Sequence, residues 1–338
     1  MRRTSRYLLL AIVGLCLAAP AFAADAPAQP ERPGLAPGAD LSGRKKIVFL
    51  SGRPSHGFAQ HEHYAGCMLL AKCLNENEPK VYAEVYKYEW PKNPVAFDNA
   101  AAIVIYCDGG GGHLALSHLK ELGEMVDKGV GLGCIHYGVE PGDEKNNPNG
   151  RTEFLKWIGG YFETFFSINP DWKASFTELP HHPVANGVKP FTTHDEWYYH
   201  MRFRDDMQGV TPILSAVPPD STRQGKDDAH GGNPHVRAGI GKNIAETTVW
   251  VAERPHDGRG FGCTGAHYHF NWGSDNFRKT ILNSIVWIAH VDVPKDGVQS
   301  KPLTPDDLIA NLDPKQPDKG FTKEGLQKRI DELNTAGK

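Results

Sequence analysis

Short apolar runs that alternate with helical patterns are the feature that most constrains how this chain can fold. The runs at 46–50, 81–86, 101–106 and 130–135 are bounded by glycine or polar residues, which is typical of buried β-strands. Intervening segments carry helical spacing, and one of these helices ends at Gly129, a residue suited to a helix C-terminus. The alternation predicts a three-layer α/β/α domain with a mostly parallel, doubly wound sheet.

Histidines follow three of the predicted strands. His136 comes directly after the fourth run, His113 follows a loop of four glycines after the third, and His267 follows a later run at 261–266. In open α/β sheets, ligands bind outside the carboxyl ends of the strands. We therefore expect the three imidazoles to share one cleft, as metal ligands or general bases. For His136, an ordinary buried core position is the alternative.

The ends of the chain carry signals of their own. Residues 1–23 combine a basic start, an apolar stretch and an Ala-Phe-Ala cleavage site, which predicts a signal peptide and a periplasmic or secreted protein. Residues 24–44 are rich in proline, alanine and glycine and predict a flexible leader. One domain is then expected at 45–294, followed by a proline-rich, charged C-terminal extension at 295–338.

The composition disfavours two classes of partner. A net charge of −3 argues against nucleic acid and anionic membranes, and no stretch after the leader is apolar enough to span a bilayer. One of the six cysteines lies in the signal peptide, and the odd number that remains is not a disulfide framework. We expect a small-molecule partner, and whether the chain forms a homo-oligomer stays open.

Further polar groups lie near the predicted turns. The glycine loop can cradle an anion with its backbone N–H groups, which makes Gly110 and Gly111 candidate substrate contacts, although a plain tight turn is the alternative. His61 lies in a His-x-His pair at a helix start. Asp195 and Glu196 supply carboxylates for a metal or for acid–base work.

The middle of the chain, 152–251, shows short strand candidates separated by loops rich in proline, histidine and aspartate. The loop at 220–234 contains three glycines and is expected to be mobile or to act as a lid. Histidines in these loops, His230 among them, are expected to lie at the surface.

Several motifs, in order along the chain, resemble those of the trehalose-utilisation (ThuA-like) family, and the likeness covers 46–293. They are the segments 55–58, 61–63, 109–113, 131–136, 182–184, 191–199, 258–272 and 277–287. The resemblance implies a flavodoxin-like fold, similar to the class I glutamine amidotransferase domain. It also implies sugar catabolism, an association with 3-keto-glycosides, and metal dependence. The matching polar positions are His113, His136, Glu196 and His267, with His61 nearby.

One departure from glutamine amidotransferases bears on the chemistry. At the turn where that fold carries a thiol nucleophile, this chain has His136, and Cys134 lies two residues earlier, inside the strand. Without the thiol nucleophile and its partner, glutamine hydrolysis is not expected.

Together these features give the hypothesis of an exported, metal-dependent enzyme acting on a 3-keto-glycoside or related sugar. A divalent zinc, manganese or iron ion would polarise a keto or hydroxyl group. Its expected ligands are His113, His136, Glu196 and His267. His61 or Asp195 would move the proton in an enolisation followed by elimination or isomerisation, or in a hydrolysis. The residues expected to contact the sugar are Gly110, Gly111, Tyr199, His269 and Trp272.

Two other functions stay open. The same fold could serve a non-catalytic carbohydrate-binding protein, which has no reason to retain stoichiometric metal. An amidase or esterase could instead use Cys134 as its nucleophile, and alkylation of that thiol would test this reading.

Overall fold

The computed structural model describes residues 29–142, 145 and 148–335. The predicted signal peptide, 1–23, lies outside these residues. The strands are β1 (Lys45–Ser51), β2 (Val81–Tyr86), β3 (Ala100–Tyr106), β4 (Gly131–Ile135), β5 (Gly160–Tyr161), β6 (Asp171–Phe176), β7 (Phe191–Glu196), β8 (Arg202–Phe203), β9 (Val210–Ala216), β10 (Glu246–Arg254) and β11 (Gly258–Cys263). The helices are α1 (His63–Asn77), α2 (Leu119–Asp127), α3 (Pro148–Ile158), α4 (Pro234–Arg237), α5 (Asp275–Ile288), α6 (Pro305–Ile309) and α7 (Lys323–Thr335).

A seven-stranded sheet in the order β2-β1-β3-β4-β11-β10-β9 forms the centre of the molecule. The first five strands are mutually parallel, and β10 runs antiparallel to both of its neighbours. The parallel part follows the flavodoxin-like order, in which the chain changes direction across the sheet between β1 and β3. The predicted mostly parallel α/β fold is confirmed.

Both faces of the sheet are covered, which explains why its strands are continuous apolar runs rather than alternating ones. Along β3, Val104 belongs to the core layer beneath α1 and α5, whereas Ile103 belongs to the layer beneath α2 and α3. Each helix contributes a buried face, with Leu70 and Ile281 on one side of the sheet and Leu122 on the other.

The chain between β4 and β9 builds two small additions to the sheet. β6 and β7 form an antiparallel pair in which Asp171 lies opposite Glu196, and β5 pairs with β8. This excursion carries Glu196, the last residue of β7, to the carboxyl edge of the parallel strands, where its side chain meets His136 and His267.

The two ends of the described chain pack on the domain. In the segment predicted as a flexible leader, Glu31 pairs antiparallel with Val85 of β2 and Arg32 forms an ion pair with buried Glu84. The C-terminal extension is likewise bound: it places Leu308, Leu326 and Ile330 in the core. These three leucine and isoleucine side chains are apolar anchors within a segment whose overall composition is charged and proline-rich. Within the described ranges, no helix combines the length and hydropathy that a membrane crossing requires.

Candidate metal centre

Four side chains from different parts of the chain converge at the carboxyl edge of the sheet. His61 comes from the loop between β1 and α1, His136 directly follows β4, and His267 follows β11. Glu196 ends β7 and enters from the side. One ligand atom of each lies within 4.8 Å of all the others. The position agrees with the rule that open α/β sheets bind ligands beyond the carboxyl ends of their strands.

The three imidazoles meet through nitrogen atoms. His61 Nε2 lies 3.1 Å from His136 Nε2 and 3.0 Å from His267 Nδ1, and the last two atoms are 3.3 Å apart. Four ligands placed tetrahedrally about 2.1 Å from a zinc-like ion are about 3.4 Å from one another. The observed separations, 3.0 to 3.3 Å, are close to this value.

Partners behind two of the rings fix which nitrogen faces the centre. Nδ1 of His136 donates to the carbonyl oxygen of Thr264 at 2.8 Å, and Nδ1 of His61 donates to Asp108 Oδ1 at 2.6 Å. Because a carbonyl or carboxylate oxygen only accepts, the inward Nε2 atom of each neutral ring carries a lone pair. Outer hydrogen bonds of this kind orient histidine ligands in metal sites. The fit to a bound cation rests on this arrangement.

Glu196 supplies the negative charge of the cluster. Its Oε2 lies 3.0 Å from His267 Nδ1 and 3.5 Å from His136 Nε2, and its Oε1 accepts from Asn169 Nδ2 at 3.1 Å. Burial opposes ionisation, but the contacts of the carboxylate with His136 and His267 outweigh it and hold the pKa of Glu196 far below its ordinary value. The carboxylate is thus ionised and aimed at the inner nitrogens.

Burial determines the charge state of His61. Its side chain is almost fully buried, and burial together with the neighbouring imidazoles lowers its pKa far below the ordinary value. The ring is therefore neutral, as a ligand must be. Asp108 holds one of its nitrogens, and the other faces His136 and His267. This geometry makes His61 a candidate metal ligand, whereas the sequence predicted a proton carrier.

The backbone around the centre is strained. His61, His136 and Ala266 have φ values of +46°, +54° and +80°, in the left-handed region that side chains other than glycine rarely adopt. His56 and Ala59 in the loop before α1 share this conformation. Strain of this kind persists where surrounding contacts over-determine it, and it clusters at functional sites.

Asp195 has a different role from the predicted acid–base one. Its side chain is fully buried, and its oxygens accept from Ala266 N at 2.8 Å, His267 N at 3.1 Å and Asn271 Nδ2 at 2.9 Å. These bonds occupy the carboxylate and fix the loop that presents His267. This geometry supports a positioning role for Asp195, whereas the sequence predicted an acid–base role.

His113 does not reach the cluster, so its predicted role as a ligand is wrong. Its Nε2 donates to the carbonyl oxygen of Gly138 at 2.9 Å, and its Nδ1 accepts from Ala115 N at 3.0 Å. The ring packs against Phe154 of α3, and burial lowers its pKa to about 4. The turn at 110–112 directs this side chain beneath the sheet, where it is a hydrogen-bonded core histidine.

The glycine loop after β3 has a steric explanation. A Cβ atom at Gly109 would lie 2.2 Å from the carbonyl oxygen of Tyr137, so only glycine lets this loop pass the turn after β4. The N–H of Gly110, expected to contact substrate, donates instead to the carbonyl oxygen of Glu140 at 3.0 Å. Gly111 borders open space, where a Cβ would meet no neighbour.

Three residues expected to contact sugar are buried in the core. Trp272 stacks on Phe277 with ring centroids 5.0 Å apart, and the Tyr199 hydroxyl bonds to Thr222 Oγ1 at 2.7 Å. His269 is fully buried, and burial lowers its pKa to about 3. Aromatic side chains next to a site can serve its packing as readily as its ligand, and sequence spacing does not separate the two.

Sequence reasoning missed two residues that contact the centre and one that lies near it. Tyr198 places its hydroxyl 3.1 Å from His136 Nε2, and Asp108 supports His61. His230, expected at the surface, bonds through Nε2 to buried Glu140 Oε2 at 3.0 Å, and this bond raises the pKa of His230. Asp108 directly follows the strand run and Cys107, a signal that could have identified it. His230 had no such signal, because its position depends on a long loop.

The thiols within the described residues are poorly placed to act as nucleophiles. The cysteines of the described chain are all free and buried. Burial raises the pKa of Cys134, inside β4, well above its ordinary value, so its thiolate is not available. This weighs against the thiol-dependent amidase or esterase.

Comparisons with known proteins agree with this fold. The sequence profile of the ThuA family, described as trehalose utilisation, matches residues 46–288. A ThuA-like protein from Bacteroides uniformis has a similar structure, with 15% identity and a TM-score of 0.50 over 83% of this chain and 98% of its own. One from Parabacteroides merdae gives 12% identity and a TM-score of 0.49 over 81% and 100%. No curated protein matches the chain. The profile covers well over half of the sequence, and this chain therefore belongs to the trehalose utilisation (ThuA) family.

Proposed function

We propose that this chain is a metal-dependent enzyme of carbohydrate catabolism that acts on a sugar bearing a keto group, such as a 3-keto-glycoside. The observation that carries the proposal is the meeting of three imidazole nitrogens and one carboxylate oxygen, with two of the rings anchored from behind. The family, described by trehalose utilisation, supports a carbohydrate substrate.

The donor set suits a divalent transition metal. Three ring nitrogens and one carboxylate favour zinc, manganese or iron over calcium or magnesium, which prefer oxygen ligands. A cation held by His61, His136, Glu196 and His267 would supply Lewis-acid polarisation of a sugar carbonyl or hydroxyl oxygen. The protein's part is to hold His61 neutral, to anchor the rings of His61 and His136 from behind, to keep Glu196 ionised and to bury the centre.

We assign proton transfer to His230, because His61 and Asp195 are committed to other bonds. The ring of Tyr137 is a neighbour of both His61 and His230, with its centroid 6.1 Å from that of His61 and 6.3 Å from that of His230. His230 is bonded through Nε2 to Glu140, which leaves Nδ1 to exchange a proton with a substrate. A carboxylate behind a histidine orients the ring and stabilises its protonated form.

The loop that carries His230 is tied to the centre. The backbone N–H of Asn169 donates to the His230 carbonyl oxygen at 3.1 Å, and the Asn169 side chain donates to Glu196 Oε1. Asp228 Oδ1 accepts from the N–H groups of His230 and Gly231, both at 2.7 Å. A histidine held by its own turn and by a neighbour of Glu196 is suited to act on a substrate at the centre.

The proton transfers available to His230 determine which reactions the enzyme could catalyse. His230 in its neutral form would accept a proton from the carbon next to the keto group. In its protonated form it would return that proton to a leaving glycosidic oxygen, which completes an elimination, or to a neighbouring carbon, which completes an isomerisation. Hydrolysis of the glycosidic bond is the third outcome.

We also propose that the protein is exported to the periplasm or medium. The support is the sequence at 1–23, with its arginines, its apolar stretch and its Ala-Phe-Ala site. N-terminal sequencing of the protein from its native host should find Ala24 first. An intact Met1 would contradict export by this route.

Metal analysis with a matched pair of variants tests the proposed activity. Glu196→Gln keeps the volume of the side chain but removes its charge, whereas Glu124→Gln changes an exposed carboxylate of α2. We expect wild type and Glu124→Gln to retain about one metal ion and to turn over keto-disaccharides in a chelator-sensitive way. Glu196→Gln should bind metal roughly tenfold or more weakly.

Two results would contradict the proposal. Equal metal occupancy and turnover in Glu196→Gln and wild type would remove the carboxylate from the centre. Sugar binding with no stoichiometric metal and no turnover would instead favour the non-catalytic carbohydrate-binding protein. Cys134→Ala should leave metal content and turnover unchanged, and loss of turnover with metal retained would favour the thiol enzyme.

A further inference from the structure

The C-terminal segment lies outside the residues that match the ThuA profile, yet it reaches the supports of two proposed ligands. The matched region ends at 288, and the chain continues through α6 and α7 to the end of the described residues. Lys315 contacts the loop that carries His61, and Arg329 contacts the network that holds His267. The two contacts involve different loops and are independent of each other.

The first contact involves the residues immediately before and after His61 in the sequence. Lys315 Nζ donates to the Gln60 carbonyl oxygen at 2.6 Å and lies 3.1 Å from Glu62 Oε1. Glu62 is fully buried, and its Oε2 accepts from Asp313 N at 2.7 Å. The residues before and after His61 are thus both bonded to the C-terminal segment.

This contact acts where the backbone is strained. Glu62 Oε1 also accepts from Ala59 N at 3.2 Å, so one buried carboxylate joins the loop before α1 to the C-terminal segment. His61 and Ala59 both have left-handed φ values, which persist only when neighbouring contacts enforce them. Without Lys315, the buried charge of Glu62 loses its cationic partner, and such a loss is disruptive.

The second contact is a relay of three side chains. Arg329 Nη2 donates to Asn271 Oδ1 at 2.8 Å, and Asn271 Nδ2 donates to Asp195 Oδ2 at 2.9 Å. Asp195 in turn accepts from the backbone N–H groups of Ala266 and His267. Arg329 therefore fixes the orientation of the Asn271 amide, and through it the carboxylate that shapes the His267 loop.

We propose that the C-terminal segment completes the metal centre: Lys315 positions His61 and Arg329 positions His267. This inference rests on the proposed function for its chemical meaning, but the positioning itself does not require a metal. A segment that only stabilised the fold would need its apolar anchors, Leu308, Leu326 and Ile330, and would have no reason to reach both ligand loops.

Point variants of the full chain test the proposal, because truncation would also remove the apolar anchors. Lys315→Met and Arg329→Met remove the two contacts. Lys328→Met is the matched control, since Lys328 lies on α7 with a side chain that is 80% exposed. Lys315→Arg keeps the positive charge and should therefore retain most of the wild-type behaviour that Lys315→Met loses.

Hydrogen exchange in the metal-free protein reads positioning directly. We expect Lys315→Met to speed exchange about tenfold in the loop at 57–62 and Arg329→Met to do so at 264–268, each with little effect on the other loop. Lys328→Met should match wild type. Wild-type exchange in both loops of folded Lys315→Met and Arg329→Met would overturn the proposal. If Lys315→Met does not fold, Arg329→Met and Lys315→Arg still decide it.

Cobalt binding separates this inference from the proposed function. The affinity for cobalt(II) should fall about tenfold in Lys315→Met and in Arg329→Met, as it does when other residues that support metal ligands are replaced. The visible absorption spectrum of the bound cobalt should also change in these two variants, because it depends on the ligand geometry. If wild type binds no cobalt, the proposed metal function fails, while the exchange result still decides positioning. If wild type binds cobalt and both variants match it in affinity and spectrum, the inference fails and the proposed function stands.

Discussion

His61 and His136 face each other with their Nε2 atoms 3.1 Å apart, while Nδ1 of each ring donates a hydrogen bond away from the centre. In neutral rings this arrangement brings two lone pairs together, which is unfavourable unless a cation lies between them. Glu196 adds an ionised oxygen near the same point. The charge distribution is therefore complementary to a bound divalent cation.

His113→Ala should destabilise the fold without changing the metal content of the protein. The substitution leaves the Gly138 carbonyl and the Ala115 N–H without their partner in a buried position, which costs about 2 to 4 kcal/mol. Thermal or urea unfolding, together with metal analysis, checks this. His181→Ala, in an exposed loop, is the control and should match wild type in both measurements. Loss of metal in folded His113→Ala would return His113 to the ligand set.

Asp195→Asn distinguishes a positioning residue from an acid–base one. The amide presents an NH₂ group where the carboxylate accepts from Ala266, His267 or Asn271, so the His267 loop should loosen. Metal affinity should then fall about tenfold, with turnover largely restored at saturating metal. Turnover that stays low at full metal occupancy would instead support the acid–base role.

The His230–Glu140 pair should make stability depend on pH. Its hydrogen bond raises the pKa of His230 in the folded state above the unfolded value of about 6.5. The pair's stabilisation is therefore fully present below about pH 6.5 and is lost as the pH rises through the folded-state value. The charges of Asp228 and Glu196 act in the same direction.

Thermal unfolding of wild type and His230→Gln from about pH 5.5 to 8.5 measures this contribution. The stability advantage of wild type over the variant should shrink as the pH rises, and Glu140→Gln should show the same loss. An advantage that is constant across this range would contradict the ion pair. Other titrating groups are common to both proteins and cancel in the difference.

The sheet could be predicted because its strands are buried on both faces. That burial makes runs such as 47–50 and 101–106 apolar throughout, and the helices between strands fix their parallel direction. The positions of His136 and His267 followed, since each comes at the end of a parallel strand. Glu196 was identified from the family resemblance rather than from periodicity.

The remaining side chains depend on loop geometry that periodicity does not encode. Four consecutive glycines permit several turns, and the one adopted sends His113 under the sheet instead of toward the cleft. His230 lies beside Glu140 because Asn169 and Asp228 hold its loop. The first of these contacts is long-range and the second is local to an irregular segment. Trp272 packs against Phe277 in the core. An aromatic residue that serves packing cannot be distinguished in the sequence from one that stacks on a sugar.

X-ray absorption spectroscopy at the edge of the bound metal tests the central claim most directly. With purified wild type, the metal should show about three imidazole ligands and one carboxylate-type oxygen at roughly 2.0 to 2.2 Å, with no sulfur. His136→Ala should lose most of the metal, because its ring nitrogen and its bond to Thr264 are both removed. A metal bound through sulfur, a spectrum without the imidazole signature, or wild-type metal content in His136→Ala would contradict the account.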